Sequence, residues 1–109
     1  MKVLVRRTIY YYINKYPLAE KSLLLWEAEF SKSGFHNFND IKRVFGNASV
    51  ISNGRVVFNI KANDYRLVVS VNFRQQACYI IWFGTHKEYD KIDVATVAYD
   101  TTINNYKKK

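Results

Sequence analysis

The sequence predicts an α+β fold, with N-terminal helices packed on a twisted antiparallel β-sheet. Three observations lead there. Apolar residues recur at helical spacing early in the chain, as in Ile9, Tyr12, Ile13 and Tyr16. From position 49 onward the pattern switches to period two. Asn53-Gly54, a strong hairpin signal, sits just inside that switch. Helices followed by a strand meander in one short chain make a layered α+β domain.

The elements follow in order. Lys2-Val3-Leu4-Val5 reads as a short strand. A helix is predicted from about Arg7 to Tyr16, interrupted by Pro17. A second runs from Ala19 to Ser31, burying Leu23, Trp26 and Phe30, with Gly34 as its stop. A short third spans Asn39 to Phe45, capped by Asn37 or Asn39. Strands are then expected at Ser49–Ser52, Arg55–Lys61, Tyr65–Arg74 and Ala77–Gly84, with two-residue loops at Asn63-Asp64 and Gln75-Gln76.

In that register Lys61 opposes Arg66, Val69 opposes Trp82, and Arg66 opposes Thr85. One face carries Val56, Phe58, Ile60, Leu67, Val69, Val71, Phe73, Ile80 and Trp82 and can pack under the helices. The other carries Arg55, Asn59, Lys61, Arg66, Ser70, Asn72, Tyr79, Phe83 and Thr85, a basic and aromatic surface with no evident cover.

At 109 residues the chain is about one domain long. Hydrophobic residues are 49% and charged residues 24%, the balance of a globule rather than a disordered chain. The single cysteine, Cys78, excludes an internal disulfide and reads as a small buried thiol. No apolar run reaches the roughly 20 residues of a membrane span, and the first residues lack a secretory pattern. These features point to the cytoplasm and to no membrane partner.

Seventeen basic residues against nine acidic ones give a net charge of +8, and nine tyrosines help bring aromatics to 17%. Cations that track phosphates and rings that stack on bases suit single-stranded nucleic acid. Like charges opposed on neighbouring strands, as predicted for Lys61 and Arg66, are unfavourable unless an anion sits between them. Thr85-His86-Lys87-Glu88 has capping-box form and predicts a short helix from His86, with Tyr89 and Asp90 one turn on and Lys91 one turn from Lys87. Its first turn is expected to offer free N–H groups to an anion. A histidine, a tyrosine and several cations suit phosphodiester cleavage of RNA by general acid–base chemistry and charge stabilisation. That scheme needs no metal and no other cofactor. His36 reads as a surface residue, and Tyr10-Tyr11-Tyr12 and Tyr16 as cover for the sheet.

These same residues carry a family resemblance. Residues 55–93, with Phe58-Asn59-Ile60-Lys61, Tyr65-Arg66-Leu67 and Thr85-His86-Lys87-Glu88-Tyr89-Asp90, resemble the HigB branch of the RelE/ParE-like toxins of type II toxin–antitoxin systems. Residues 38–49 are similar as well. The resemblance implies a RelE-like toxin domain over residues 1–93. The tail from Val94 to Lys109 extends past the motif and is expected to hold a short helix through Tyr99 and a loose basic end at Lys107–Lys109. It implies a metal-free endoribonuclease that cleaves mRNA in the ribosomal A site, with the 2′-hydroxyl as nucleophile. It also implies neutralisation by a HigA-like, DNA-binding antitoxin, through which alone operator DNA is reached.

Lys61, Arg66, His86, Lys87 and Tyr89 match the family's site, with His86 as general acid or base and Tyr89 as its partner in proton transfer. Arg55, Arg74 and Lys91 are candidates for wider RNA contacts. Ala62 stands where relatives often have glycine. Two rival readings are a non-catalytic RNA-binding module, stacking bases on Tyr79 and Phe83, and a gyrase-directed toxin of the same superfamily.

Overall fold

A computed structural model of the chain describes residues 1–107. Among them, β1 (Lys2–Leu4), β2 (Ser49–Ile51), β3 (Arg55–Ile60), β4 (Tyr65–Asn72) and β5 (Ala77–Thr85) form one sheet in the order β1-β5-β4-β3-β2. The helices are α1 (Arg6–Lys15), α2 (Glu20–Lys32), α3 (Phe38–Val44) and α4 (His86–Tyr89), with 3₁₀ turns at Pro17–Ala19 and Thr101–Asn105. The sheet is mixed rather than antiparallel throughout. β1 pairs parallel to β5, Val3 opposite Cys78. Period-two patterning shows that a strand is half-buried but says nothing about which strand it will join.

Asn37 is the cap of α3, its side chain accepting the Asp40 N–H at 3.0 Å. Gly34 does not stop α2. The helix ends at an extended Ser33, so no left-handed cap is needed. The Asn53-Gly54 hairpin forms, but with Ile51 opposite Arg55 its loop is Ser52–Gly54, in which Asn53 and Gly54 are left-handed.

Both later loops are longer than predicted. Ile60 pairs with Tyr65, so Lys61–Asp64 form a four-residue turn with Lys61 and Ala62 at φ near +54°. Asn72 pairs with Ala77, leaving Arg74 in the turn. Lengthening a loop by two residues slides the register by two and leaves each side chain on its face. Val56, Phe58, Ile60, Leu67, Val69 and Ile80 therefore lie in the core as predicted, and Val71 and Phe73 pack against it.

One irregularity reverses a prediction. The register of β4 with β5 passes from Val69↔Ile80 to Val68↔Trp82, skipping Ile81. This β-bulge inverts the faces beyond it. Phe83 is 1% exposed instead of lying on the open face, and Trp82, expected in the core, lies opposite Val68 on the open face. The core has two aromatic hubs. Phe58 meets Trp26, Phe30 and Phe45 at 5.2–6.0 Å between ring centroids. Phe83 stacks on Tyr65 at 5.4 Å and meets Tyr12 and Tyr16 of the N-terminal region.

The open face is also covered more than predicted. Arg55 Nη1 donates to Val94 O at 2.9 Å, Asn53 Nδ2 donates to Ala95 O, and Tyr99 reaches Thr8 on α1. The segment after α4 thus straps across the face, over a row in which Val57 and Val68 are buried. It then places Ile103 in the main core. The short helix expected through Tyr99 does not form: residues 94–100 are turns and irregular backbone, and a 3₁₀ turn follows at Thr101–Asn105. Of the predicted basic tail at 107–109, Lys108 and Lys109 lie outside the described residues.

The bulge predicts unequal costs for two neighbouring aromatics. Phe83→Ala should cost about 3–5 kcal/mol, and Trp82→Ala clearly less, in urea unfolding. Ala62→Gly should raise stability by about 0.5–1 kcal/mol, because a left-handed alanine is strained while the extra freedom of unfolded glycine offsets part of the gain.

Candidate active site

The bulge and the four-residue turn together build one end of the open face. Arg66 sits between Asn59 on β3 and Gly84 on β5. Its Nη1 donates to Asn63 O at 2.9 Å and Tyr65 O at 3.2 Å, which fixes the half-buried guanidinium over the strand end. The guanidinium carbon lies 6.0 Å from the centre of the Tyr89 ring, within reach of a cation–π contact. Tyr89 also meets Trp82, at 6.2 Å between ring centroids. Arg66, Tyr89 and Trp82 therefore form one row.

The short helix that supplies Tyr89 forms for the predicted reason. Thr85 Oγ1 accepts the Glu88 N–H at 3.2 Å, and Glu88 Oε1 accepts the Thr85 N–H at 2.9 Å, a complete capping box. The first turn is less open to an anion than expected. The His86 N–H donates to Asp64 O at 3.0 Å and the Glu88 N–H is held by Thr85. Charge recognition here falls to side chains.

The His86 imidazole is half exposed, with Nε2 3.9 Å from Asp90 Oδ2, an ion pair when the ring is protonated. Lys87 and Lys91 are exposed. Lys61 is exposed too, but it does not oppose Arg66. Pairing stops at Ile60, and Lys61 projects from the left-handed turn while Arg66 faces Asn59. The direct cross-strand pairing expected of the two cations does not form.

The remaining candidates scatter. Phe83 is buried and offers no ring to a base. Arg55 is tied to the strap. Tyr79 stays 40% exposed beside Leu4 and Tyr99, away from α4. Arg74 lies past the far end of β4, about 20 Å or more from Arg66 by strand rise. Cys78 is buried, which pushes its thiol up to about 12 and removes it as a nucleophile.

Sequence reasoning missed Trp82, because no local pattern marks the bulge. It also missed the reach of Tyr16, whose hydroxyl donates to Glu88 Oε1 at 2.7 Å. Gly84 has a spatial reason that the sequence did not signal. A Cβ there would meet the Trp82 ring at 2.6 Å and Glu88 Oε1 at 3.1 Å, so only glycine lets both close over β5.

The Glu88 carboxyl is held below its ordinary value, first by the Thr85 N–H and then, against some burial, by the Tyr16 hydroxyl. A carboxylate depressed on folding stabilises the native state above its unfolded value of about 4.3, and that contribution disappears as pH falls through the folded value. The stability advantage of the wild type over Glu88→Gln, measured by urea unfolding, should therefore shrink as pH falls from 6 to 3.

Residues 19–92 match the HigB toxin family, described as the RelE-like toxic component of a toxin-antitoxin system. The chain is 34% identical over 79 residues to the mRNA interferase toxin HigB of Escherichia coli (strain K12), covering 71% of this chain and 76% of that protein. It matches the mRNA interferase HigB of Escherichia coli O157:H7 and of Shigella flexneri at the same identity and coverage.

Proposed function

The chain belongs to the HigB family of RelE-like toxic components of toxin–antitoxin systems, and we propose that it is an endoribonuclease that cleaves mRNA. The observation that carries the reading is the row at the end of the sheet. A fixed guanidinium, Arg66, lies over Tyr89, on the same short helix as the exposed imidazole of His86.

In this reading the scissile phosphate sits against Arg66, with the exposed Lys87 and Lys61 stabilising the charge that builds on its oxygens. One group removes the proton from the 2′-hydroxyl. The 2′-oxygen attacks phosphorus, a 2′,3′-cyclic phosphate forms, and the 5′-oxygen leaves with a proton. His86 serves as general acid or base, with Asp90 Oδ2 3.9 Å from its Nε2, and Tyr89 is its partner in proton transfer. The half-buried rings of Trp82 and Tyr89 are candidates for stacking on a neighbouring base. Lys91 extends the cationic edge along the RNA, and Arg55, Arg74 and Tyr79 lie too far out or too engaged to take part in the chemistry.

The natural setting is mRNA in the ribosomal A site, in the cytoplasm, where the net charge of +8 also favours approach to rRNA. The toxin's partner is its cognate antitoxin. We assign that antitoxin to the HigA-like, DNA-binding kind, with operator DNA contacted through it. No helix among the described residues is long and apolar enough to cross a membrane.

Primer extension on a reporter mRNA in a cell-free translation reaction tests the reading. New ends inside the translated region should appear with the purified protein, and they should vanish when ribosomes are omitted. His86→Ala and Arg66→Ala should each lower cleavage by about 10²-fold or more while circular dichroism stays native. Intact mRNA with folded wild-type protein would transfer the reading to a non-catalytic RNA binder or a gyrase-directed toxin.

A further inference from the structure

We infer that Tyr16 is a positioning residue for the cleavage reaction, its hydroxyl holding Glu88 and through it the short helix that presents His86 and Tyr89. The inference rests on the active-site reading above. It starts from a weakness in the site. α4 is four residues long, and a single turn has no stability of its own in water. Something outside it must hold it in place.

Three ties do so. The capping box joins Thr85 to Glu88 but is local to the turn. The His86 N–H reaches Asp64 O, in an exposed turn that contains two strained left-handed residues. The third is the long-range tie from Tyr16, at 2.7 Å and 72 residues away in sequence. It is the one that leads into the core. The Tyr16 ring packs edge-on against Tyr65 and Phe83, both at 5.7 Å, and its backbone N–H closes α1 on Tyr12 O at 2.8 Å, just before Pro17.

The chemistry of the tie suits a fixed strut. Glu88 Oε1 receives two hydrogen bonds, from the Thr85 N–H and the Tyr16 O–H, and charge-assisted bonds of this kind are short and strong. Burial of Tyr16 keeps its hydroxyl protonated as a donor, while the same bonds keep Glu88 ionised as the acceptor. Tyr16 touches neither the row of Arg66, Tyr89 and Trp82 nor His86 in any of these contacts. Its effect passes through Glu88 to the orientation of the helix. Small misplacements of a catalytic group lower turnover more than they lower binding.

The test compares Tyr16→Phe, Glu88→Gln, Glu88→Ala and the Tyr16→Phe/Glu88→Ala pair, each purified, in cleavage assays on translated mRNA with ribosomes present, with hydrogen exchange by mass spectrometry beside them. Phenylalanine keeps the ring in the core, so Tyr16→Phe should stay folded. It should lower kcat about tenfold with KM within about twofold, and speed exchange over residues 85–90 but not in β4. Glu88→Gln, whose amide oxygen still accepts, should retain most of kcat. The double variant should be no slower than Glu88→Ala, since both remove one interaction. Wild-type kcat in folded Tyr16→Phe, additive losses in the double variant, or a loss confined to KM would each overturn the inference. If the wild type itself leaves RNA intact, the cleavage reading fails. Exchange then decides the tie by itself, upholding it if residues 85–90 open faster in Tyr16→Phe and rejecting it if they do not.

Discussion

The skipped residue in β5 is the constraint on which the rest of this structure depends. By inserting Ile81 without a partner, the chain turns Phe83 into the core and Trp82 out of it. Phe83 then becomes the hub on which Tyr12, Tyr16 and Tyr65 assemble, so the N-terminal helix docks at the end of the sheet that carries α4. Trp82, on the other side, becomes the wall against which Tyr89 rests. One bulge thus builds both the support beneath the site and part of its surface. This agrees with the tendency of bulges to lie where a side chain must be re-aimed.

The strap after α4 sets the extent of that surface. A sheet with one face open and basic would offer an RNA a long platform. Here the segment around Val94 to Tyr99 occupies the middle of the face and draws Arg55 and Asn53 to its carbonyls. What remains accessible beside α4 is a short edge of Arg66, Trp82, Tyr89 and His86, with Lys61, Lys87 and Lys91 at its margins. The strap has a structural role as well, since it delivers Ile103 to the core.

Electrostatics in the site depends on individual placement more than on total charge. Arg66 is held by two carbonyls and an aromatic ring, so its position is fixed before any phosphate arrives. The lysines around it, Lys61, Lys87 and Lys91, are exposed. The first turn of α4 uses the amides of His86 and Glu88 internally, so it contributes geometry where the sequence suggested an anion cradle.

Much of the fold was legible because its signals are local. Helical spacing, Asn37 before α3, Asn53-Gly54 and the Thr85–Glu88 box each act within a few residues, and each forms where the sequence put it. The inward face of β3 and most of β4 was legible for another reason: loop errors of two residues do not change the parity of a strand. The family motifs likewise sit in contiguous phrases, so His86, Lys87 and Tyr89 were bound to share one short helix. What the sequence by itself determined is therefore the element order, the packed face of β3 and most of β4, and the residues of α4. Tertiary structure alone decided that β1 joins β5 in parallel, that Phe83 and Trp82 exchange faces, that Lys61 falls in a turn and is not paired with Arg66, and that Tyr16 reaches Glu88. Each of those depends on how distant segments fill shared space, where one unpaired residue or a two-residue slide is settled by packing and hydrogen bonding and leaves no periodic trace in the chain.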